Sequence, residues 1–384
     1  MYVHTRTLGW LARRALFRKP FSFRRSLYAA GFGLGQTLLG GVVSLARSLD
    51  SIYYPDFTRT RVPAPLFVIA TPRSGTTYLH HLLALDEERF LSCKLYQTIV
   101  PSILLERALA RLGELDGATG RVLGRLLEAI DKRMFTDWES IHRVSLRSDE
   151  EDESLFVYSL TSPALYLLFP FIREMPEFVE ITRLGRRVVR RVARDYRDTL
   201  KRWVYLAGDE RTPLIKNVLL PSRLAVSDRA FPDARYIHIV RDPREAIPSA
   251  VSMFHTMWQS HSNIAADSPA TRALGDMFLE HYRLLCDQAR VRPPERWIQV
   301  RYEALIDDPI GTVERIYGVL GAELGPAFRA RLESAAAEAR RFKSRHRYDP
   351  SEFGLADSDL QRALGEHWDA VVGQEARVRS VSSV

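Results

Sequence analysis

From residue 65 onward, short unbroken apolar runs alternate with longer stretches of helical periodicity. Residues 66–70 (LFVIA), 235–240 (RYIHIV) and 297–302 (WIQVRY) read as strands, because continuous apolar runs of this length suit strands covered on both faces of a parallel sheet. Leu214, Ile215 and Lys216 read as the end of a fourth strand. Helices are predicted for YLHHLLAL after the first strand and around residues 272–289 and 309–320. Strands separated by helices predict an α/β fold of three layers, with a mostly parallel central sheet. Residues 101–206 are largely helical in pattern and lie between the first two of these strands, so they predict a helical insertion or cap. Residues 61–384 are expected to form one α/β domain carrying that insertion.

Residues 1–60 differ from the rest. A basic, aromatic stretch (RRALFRKPFSFRR) precedes an apolar stretch over residues 29–46 that contains five glycines together with Gln36, Thr37 and Ser44. Its length is at the lower limit for a membrane span, and there is no cleavage site of the kind a signal peptide carries. The expectation is a glycine-rich helix packed on the domain. The alternative is an interfacial helix with a basic collar on the inner membrane surface.

The chain of 384 residues is long enough to bury a large core. Cys93 and Cys286 are its only cysteines, which excludes a disulfide scaffold and a four-cysteine zinc site and makes a reducing compartment the default. Fifty-five Lys and Arg against 47 Asp and Glu leave a charge of +8, a balance suited to a nucleotide, a nucleic acid or a lipid head group. Motifs of nucleic-acid-binding modules do not appear, so nucleic acid is expected only as a nucleotide ligand.

The candidate chemistry begins after the first strand, at Thr71-Pro72-Arg73-Ser74-Gly75-Thr76-Thr77. A loop between a buried strand and a helix directs backbone N–H groups and the positive end of the helix dipole at an anion. Gly75 permits close approach, Arg73 adds a forked cation, and Thr76 and Thr77 add hydroxyl donors. This is not the G-x-x-x-x-G-K-[ST] loop of ATP- and GTP-binding proteins, since no glycine precedes Gly75 at the right spacing and no lysine follows it.

A second segment, YIHIVRDPREAIPS, ends a strand at Arg241 and starts a helix with Asp242 as cap and Pro243 in the first turn. Ser249 lies two turns along that helix, so Arg241 and Ser249 could clasp one phosphate beyond the strand ends. Read alone, the segment is equally a capped helix whose arginine pairs with Asp242.

Together the two segments resemble the bacterial type of the PAPS-dependent sulfotransferases, which use 3′-phosphoadenosine 5′-phosphosulfate (PAPS) and release PAP. Strand-PRSGTTYLHHLL is similar to the family's 5′-phosphosulfate loop, and YIHIVRDPREAIPSAVS to its 3′-phosphate motif. FPDAR, RYEALIDDPIGTVERIY and HRYDPSEFGL follow the family's order. The resemblance implies a P-loop-like fold and transfer of a sulfuryl group to a hydroxyl, less readily an amine, without a metal. It implies that Arg73, Ser74, Gly75, Thr76 and Thr77 cradle the 5′ end, that Tyr78 and Tyr302 lie at the adenine, and that Arg241 and Ser249 hold the 3′-phosphate. Lys216 matches a lysine that contacts the sulfuryl group, and Arg345, His346 and Arg347 occupy a late basic motif over the cofactor. Supply of PAPS points to the cytoplasm.

The base departs from the family pattern. Many members carry a histidine where this chain has Val218, and some bacterial members carry a glutamate where it has Gln97. The candidates left are His142, Glu151 and Asp152, with His80 and His81 read as structural. Ser148-x-x-Glu151 also reads as a capping box before ESLFVYSL, an ordinary role for the acids at residues 149–153. Phe156, Tyr158, Tyr166, Phe169 and Phe171 read as core, in a cap that would suit an apolar or lipid-like acceptor. The alternatives are a small-molecule or nucleotide kinase and a non-catalytic nucleotide- or membrane-binding protein of the same fold.

Overall fold

A computed structural model describes residues 2–17, 23–118, 149–208, 210–262, 264–339 and 356–372. The strands are β1 (Leu66–Ile69), β2 (Phe90–Ser92), β3 (Thr212–Lys216), β4 (Arg235–Val240) and β5 (Trp297–Arg301). They form one sheet in the order β2–β3–β1–β4–β5, and every neighbouring pair is parallel. The fold is therefore the three-layer α/β architecture that the apolar runs predict. The strand missing from that expectation is β2, whose three residues FLS stand between Arg89 and Cys93 and offer no apolar run to read.

The first six described helices are α1 (Thr5–Phe17), α2 (Phe23–Tyr53), α3 (Thr76–Ala84), α4 (Leu95–Ile99), α5 (Ile103–Ala118) and α6 (Glu153–Tyr158). They are followed by α7 (Leu165–Leu168), α8 (Arg186–Ala207), α9 (Leu224–Ala230), α10 (Pro243–His261) and α11 (Pro269–Val291). Behind β5 come α12 (Tyr302–Asp307), α13 (Pro309–Leu320) and α14 (Pro326–Ala339).

Side chains of β1 alternate between two cores, as the two-residue period of a strand requires. Phe67 and Ile69 join Tyr196 and Trp203 of α8 and Phe231 after α9. Leu66 and Val68 join Leu79 and Leu83 of α3, with Ile316 and Tyr317 of α13. A third core lies off the sheet, where α10 and α11 meet Tyr166, Phe169 and Phe171. Phe156, Tyr158, Tyr166, Phe169 and Phe171 are all buried, as a packed cap requires.

The N-terminal segment is joined to the domain by charge. Asp50 of α2 is fully buried and receives Arg202 Nε of α8 at 2.8 Å. It also accepts from Ser102 Oγ (3.0 Å) and from the backbone N–H groups of Ile103 (3.1 Å) and Leu104 (2.9 Å). One carboxylate thus satisfies two of the orphan donors at the start of α5 and balances a buried guanidinium. Arg47, one turn earlier, donates to Thr199 Oγ1 (2.8 Å) and to the Pro101 carbonyl (3.1 Å). Burial, with Arg202 nearby, lowers its pKa to about 10.

Asp50→Ala leaves Arg202 and the first turn of α5 without their partner in the interior. It is expected to destabilise the fold by about 3–5 kcal/mol, read as a lower midpoint in urea unfolding. A loss within the range of a surface substitution would show that the contact carries no stability.

Candidate functional site

The chain leaves β1 for the β3 side of the sheet and later crosses to β4 and β5, so the C-terminal end of β1 is a topological switch point, where such sheets bind ligands. The loop of residues 71–75 lies there. Arg73 (φ 69°) and Gly75 (φ 82°) are both left-handed, which curls the loop so that successive N–H groups can converge with the start of α3 on an anion. The hydroxyls of Thr71 and Ser74 are buried and have no hydrogen-bond partner, although Tyr282 stands beside them and donates instead to the Arg241 carbonyl at 2.9 Å. A nucleotide phosphate or sulfate seated in the loop would give both oxygens a partner.

Around this loop the fold assembles the second segment. Arg73 Nε donates to Ser249 Oγ at 3.2 Å, and Arg241 Nη1 donates to the Arg73 carbonyl. The Arg241 guanidinium lies 4.2 Å from the centre of the Tyr302 ring. Gly75 is what admits that ring, because a Cβ at residue 75 would stand 3.0 Å from two of its carbons. Arg73, Gly75, Arg241, Ser249 and Tyr302 thus form one contiguous group from three separate parts of the chain. Asp242 caps α10 through Arg244 N (2.8 Å), while Arg241 pairs with Glu245 at 2.8 Å rather than with Asp242. Tyr78 is half-buried and packs on the same core as Tyr302. Thr76 is buried at the first position of α3.

Lys216 ends β3 beside the loop and is 1% exposed. Its Nζ donates to Thr77 Oγ1 at 3.2 Å and lies 3.5 Å from Glu150 Oε2 and 3.8 Å from Glu151 Oε1. A buried ammonium needs such partners. About a quarter of the Glu151 side chain remains open. Burial nonetheless raises its pKa to about 7, against the opposing pull of Lys216, and the neighbouring acids add to the rise.

The other acids of the cluster have separate partners. Asp149 pairs with Lys94 at 2.8 Å and accepts from Ser92 Oγ at 2.6 Å. Asp152 is fully buried and accepts from Tyr196 Oη and from Asn217 Nδ2 (2.6 Å). Burial raises its pKa to about 6, with those two hydrogen bonds opposing the rise. Glu153 binds the buried guanidinium of Arg223. The capping box does not form around Glu151: the helix starts at Glu153, and Asp152, at the N-cap position, makes no side-chain capping bond. The demand for counter-charges at Lys216, Arg223 and Lys94 sets these side chains instead. His142, Ser148, Arg345, His346 and Arg347 lie outside the described residues.

His80 is buried and His81 exposed, as adjacent helical positions require. Burial lowers the His80 pKa to about 4, and the nearby Lys216 charge adds to this. Gln97 is a structural link, since its Oε1 accepts from Lys94 N (2.9 Å) and its Nε2 donates to Glu106 Oε2 (2.7 Å). Glu106 went unread in the sequence. Burial raises its pKa to about 7, and it lines a cavity of about 290 Å³ at the β2 edge, with Tyr96, Gln97 and Trp203. Neither Lys216 nor the loop lines that cavity. Only the acid's place in the first turn of α5 could have flagged it.

A profile described as "Sulfotransferase family" matches residues 65–326. The chain is 28% identical over 375 residues to the omega-hydroxy-beta-dihydromenaquinone-9 sulfotransferase Stf3 of Mycobacterium bovis, covering 95% of this chain and 88% of the relative. The Mycobacterium tuberculosis protein of the same name matches equally. Among solved structures, sulfotransferase STF9 from Mycobacterium avium superposes with a TM-score of 0.70 at 17% identity, over 96% of this chain and 97% of that one. Sulfotransferase STF1 from Mycobacterium tuberculosis H37Rv superposes with a TM-score of 0.68 at 18% identity, over 94% and 92%. At these identities the superpositions speak for the fold alone.

Gly75→Ala is expected to destabilise the fold by about 1–2 kcal/mol from the left-handed backbone alone. It also displaces the Tyr302 ring from under Arg241. A lower unfolding midpoint together with weakened anion binding is the expected result. Unchanged binding would show that the ring's position is immaterial to the site.

Proposed function

The chain belongs to the sulfotransferase family, and on that premise we propose that it moves a sulfuryl group from PAPS to the hydroxyl of an apolar, lipid-like alcohol. One observation carries the reading: Lys216 Nζ stands between Thr77 of the loop and the carboxylates of Glu150 and Glu151, all within 3.8 Å. A cation for the transferring group and a base for the acceptor are thereby within reach of one point. The family relationship weighs against the kinase and the non-catalytic alternatives.

The residues present fit the donor. Arg73, Ser74, Gly75, Thr76 and Thr77 would hold its 5′ end, and the orphaned hydroxyls of Thr71 and Ser74 support an anion there. Arg241 and Ser249, already linked through Arg73, would hold the 3′-phosphate, with Tyr302 and Tyr78 at the adenine. The donor supplies an activated sulfuryl group. By analogy with phosphoryl transfer, positioning and electrostatics then do most of the work. Lys216 and Arg73 neutralise the charge that develops around the sulfur and on the leaving oxygen. Glu151 takes the proton of the acceptor hydroxyl, with a pKa near 7 that matches a base working at neutral pH. Asp152 is a positioning residue, because its bonds to Tyr196 of α8 and to Asn217 after β3 hold the segment of acids beside the end of β3. The acceptor class rests on the relative named for an omega-hydroxy menaquinone derivative. Supply of the donor would place the enzyme in the cytoplasm.

Because Glu151 acts as carboxylate, kcat/KM is expected to fall as pH drops through about 7 and the group takes up its proton. Glu151→Gln should lower kcat by about 10²–10⁴-fold and abolish that limb of the profile. A variant that keeps both the rate and the limb would remove Glu151 from the chemistry. Arg241→Ala should weaken PAP binding in calorimetry by about 2–5 kcal/mol, the range for truncating one partner of a buried charge pair, with little change for AMP, which lacks the 3′-phosphate. An intact fold with unchanged PAP affinity would overturn that assignment.

A further inference from the structure

Among the described residues, most of the exposed large hydrophobic side chains lie on two neighbouring helices. Of sixteen large hydrophobic side chains standing exposed among the described residues, ten belong to α2 and three to α5, which pack together. Leu27, Leu34, Leu38, Leu45 and Ile52 fall within about 20° of one line at 100° per residue, and each is more than six-tenths exposed. Leu109, Leu112 and Leu115 continue the surface at three-residue spacing on α5.

The helix α2 is inverted relative to a helix on a soluble domain. Such a helix turns its apolar stripe to the core and its polar residues to water. Here the side facing the protein carries Arg47 and Asp50, both buried, and Gln36, which donates to the Tyr158 carbonyl at 2.8 Å. The leucine line faces away. A surface of this size and continuity marks an interaction site.

Charge selects the occupant. The first 49 residues contain eight Lys or Arg and no Asp or Glu. Arg6, Arg13, Arg14 and Arg24 are exposed on α1 and at the start of α2. Arg24 stands about 60° from the leucine line at 100° per residue, so a second copy docked there would meet its own like charge, whereas anionic lipid head groups would neutralise it. Beneath the start of α2, a crevice of about 570 Å³ lined by Arg24, Leu27, Tyr28, Gly31, Phe32 and others is mostly apolar, with a cation among its walls. That composition suits a hydrocarbon chain beneath an anionic head group.

We propose that α2 and α5 dock the protein on an anionic lipid bilayer, with α2 lying in the plane of the interface. The helix does not span, because Arg47, Asp50 and Gln36 hold its opposite side to the domain. Docking in the plane brings the enzyme to the layer where a lipid-like alcohol resides. The docking itself does not depend on the acceptor reading, and vesicle binding measures it without turnover.

The test is co-sedimentation of the full chain with vesicles of phosphatidylcholine, alone or with phosphatidylglycerol as the minor component. The protein is expected to pellet with the anionic vesicles and to be released by high salt. The triple variant Leu34→Glu/Leu38→Glu/Leu45→Glu should lower vesicle partitioning by at least about ten-fold with an unchanged unfolding midpoint. A second variant, Arg6→Gln/Arg13→Gln/Arg14→Gln/Arg24→Gln, leaves the apolar face intact and should lose the preference for phosphatidylglycerol. Wild-type protein that stays in the supernatant with both vesicles overturns the proposal. So does a solution dimer, seen by light scattering, that the leucine variant converts to monomer, since a second copy would then be the occupant.

Discussion

Lys216 is a buried ammonium, and much of the site's construction follows from keeping that charge satisfied. Its three neighbours come from two other parts of the chain: Thr77 from the helix after β1, Glu150 and Glu151 from the segment before α6. Left unpaired, a charge this deep would cost more free energy than a domain has to spare. The acids are therefore drawn to the end of β3, beside the loop that follows β1. The same demand explains why a loop hydroxyl and two carboxylates from a distant segment meet at one point.

The same reasoning extends along the segment of residues 149–153. Asp149, Glu150, Glu151, Asp152 and Glu153 meet Lys94, Lys216, Tyr196, Asn217 and Arg223 between them. Five consecutive like-charged side chains are tolerated because each is answered by a donor from β3, α8 or the loops around them. Of these, only Glu151 combines a raised pKa with an open side-chain surface and proximity to Lys216. At the other end of the site, the Tyr302 ring on Gly75 and the Arg241 guanidinium on that ring set the distance between the loop and the second segment. The N-terminal segment is held by Asp50 and Arg202, another buried pair, which frees the opposite side of α2 to be apolar.

Most of the fold was legible in the chain, because β1, β4 and β5 are apolar runs bounded by loop residues, and helical periodicity follows each. β2 was not, since an edge strand of three residues needs no apolar run to pair. The packed helix expected over residues 29–46 exists, but its apolar side is not the packed side. Periodicity reports that a helix has a stripe and is silent on which way the stripe faces. The motifs were legible through their order along the chain, and the structure brings their residues Arg73, Arg241, Ser249 and Tyr302 into contact.

The parallel sheet, the strand–loop–helix turn at its switch point and the family resemblance were readable in the chain alone, because all three depend on local patterns of apolar and small residues. The fate of the charges was settled by contacts through space. The chain shows five acids in a row near a helix start, and capping is the local explanation. The folded protein assigns them mainly to cations, hydroxyls and an amide that lie dozens of residues away in sequence, because desolvation and Coulomb attraction act through space and are invisible to spacing.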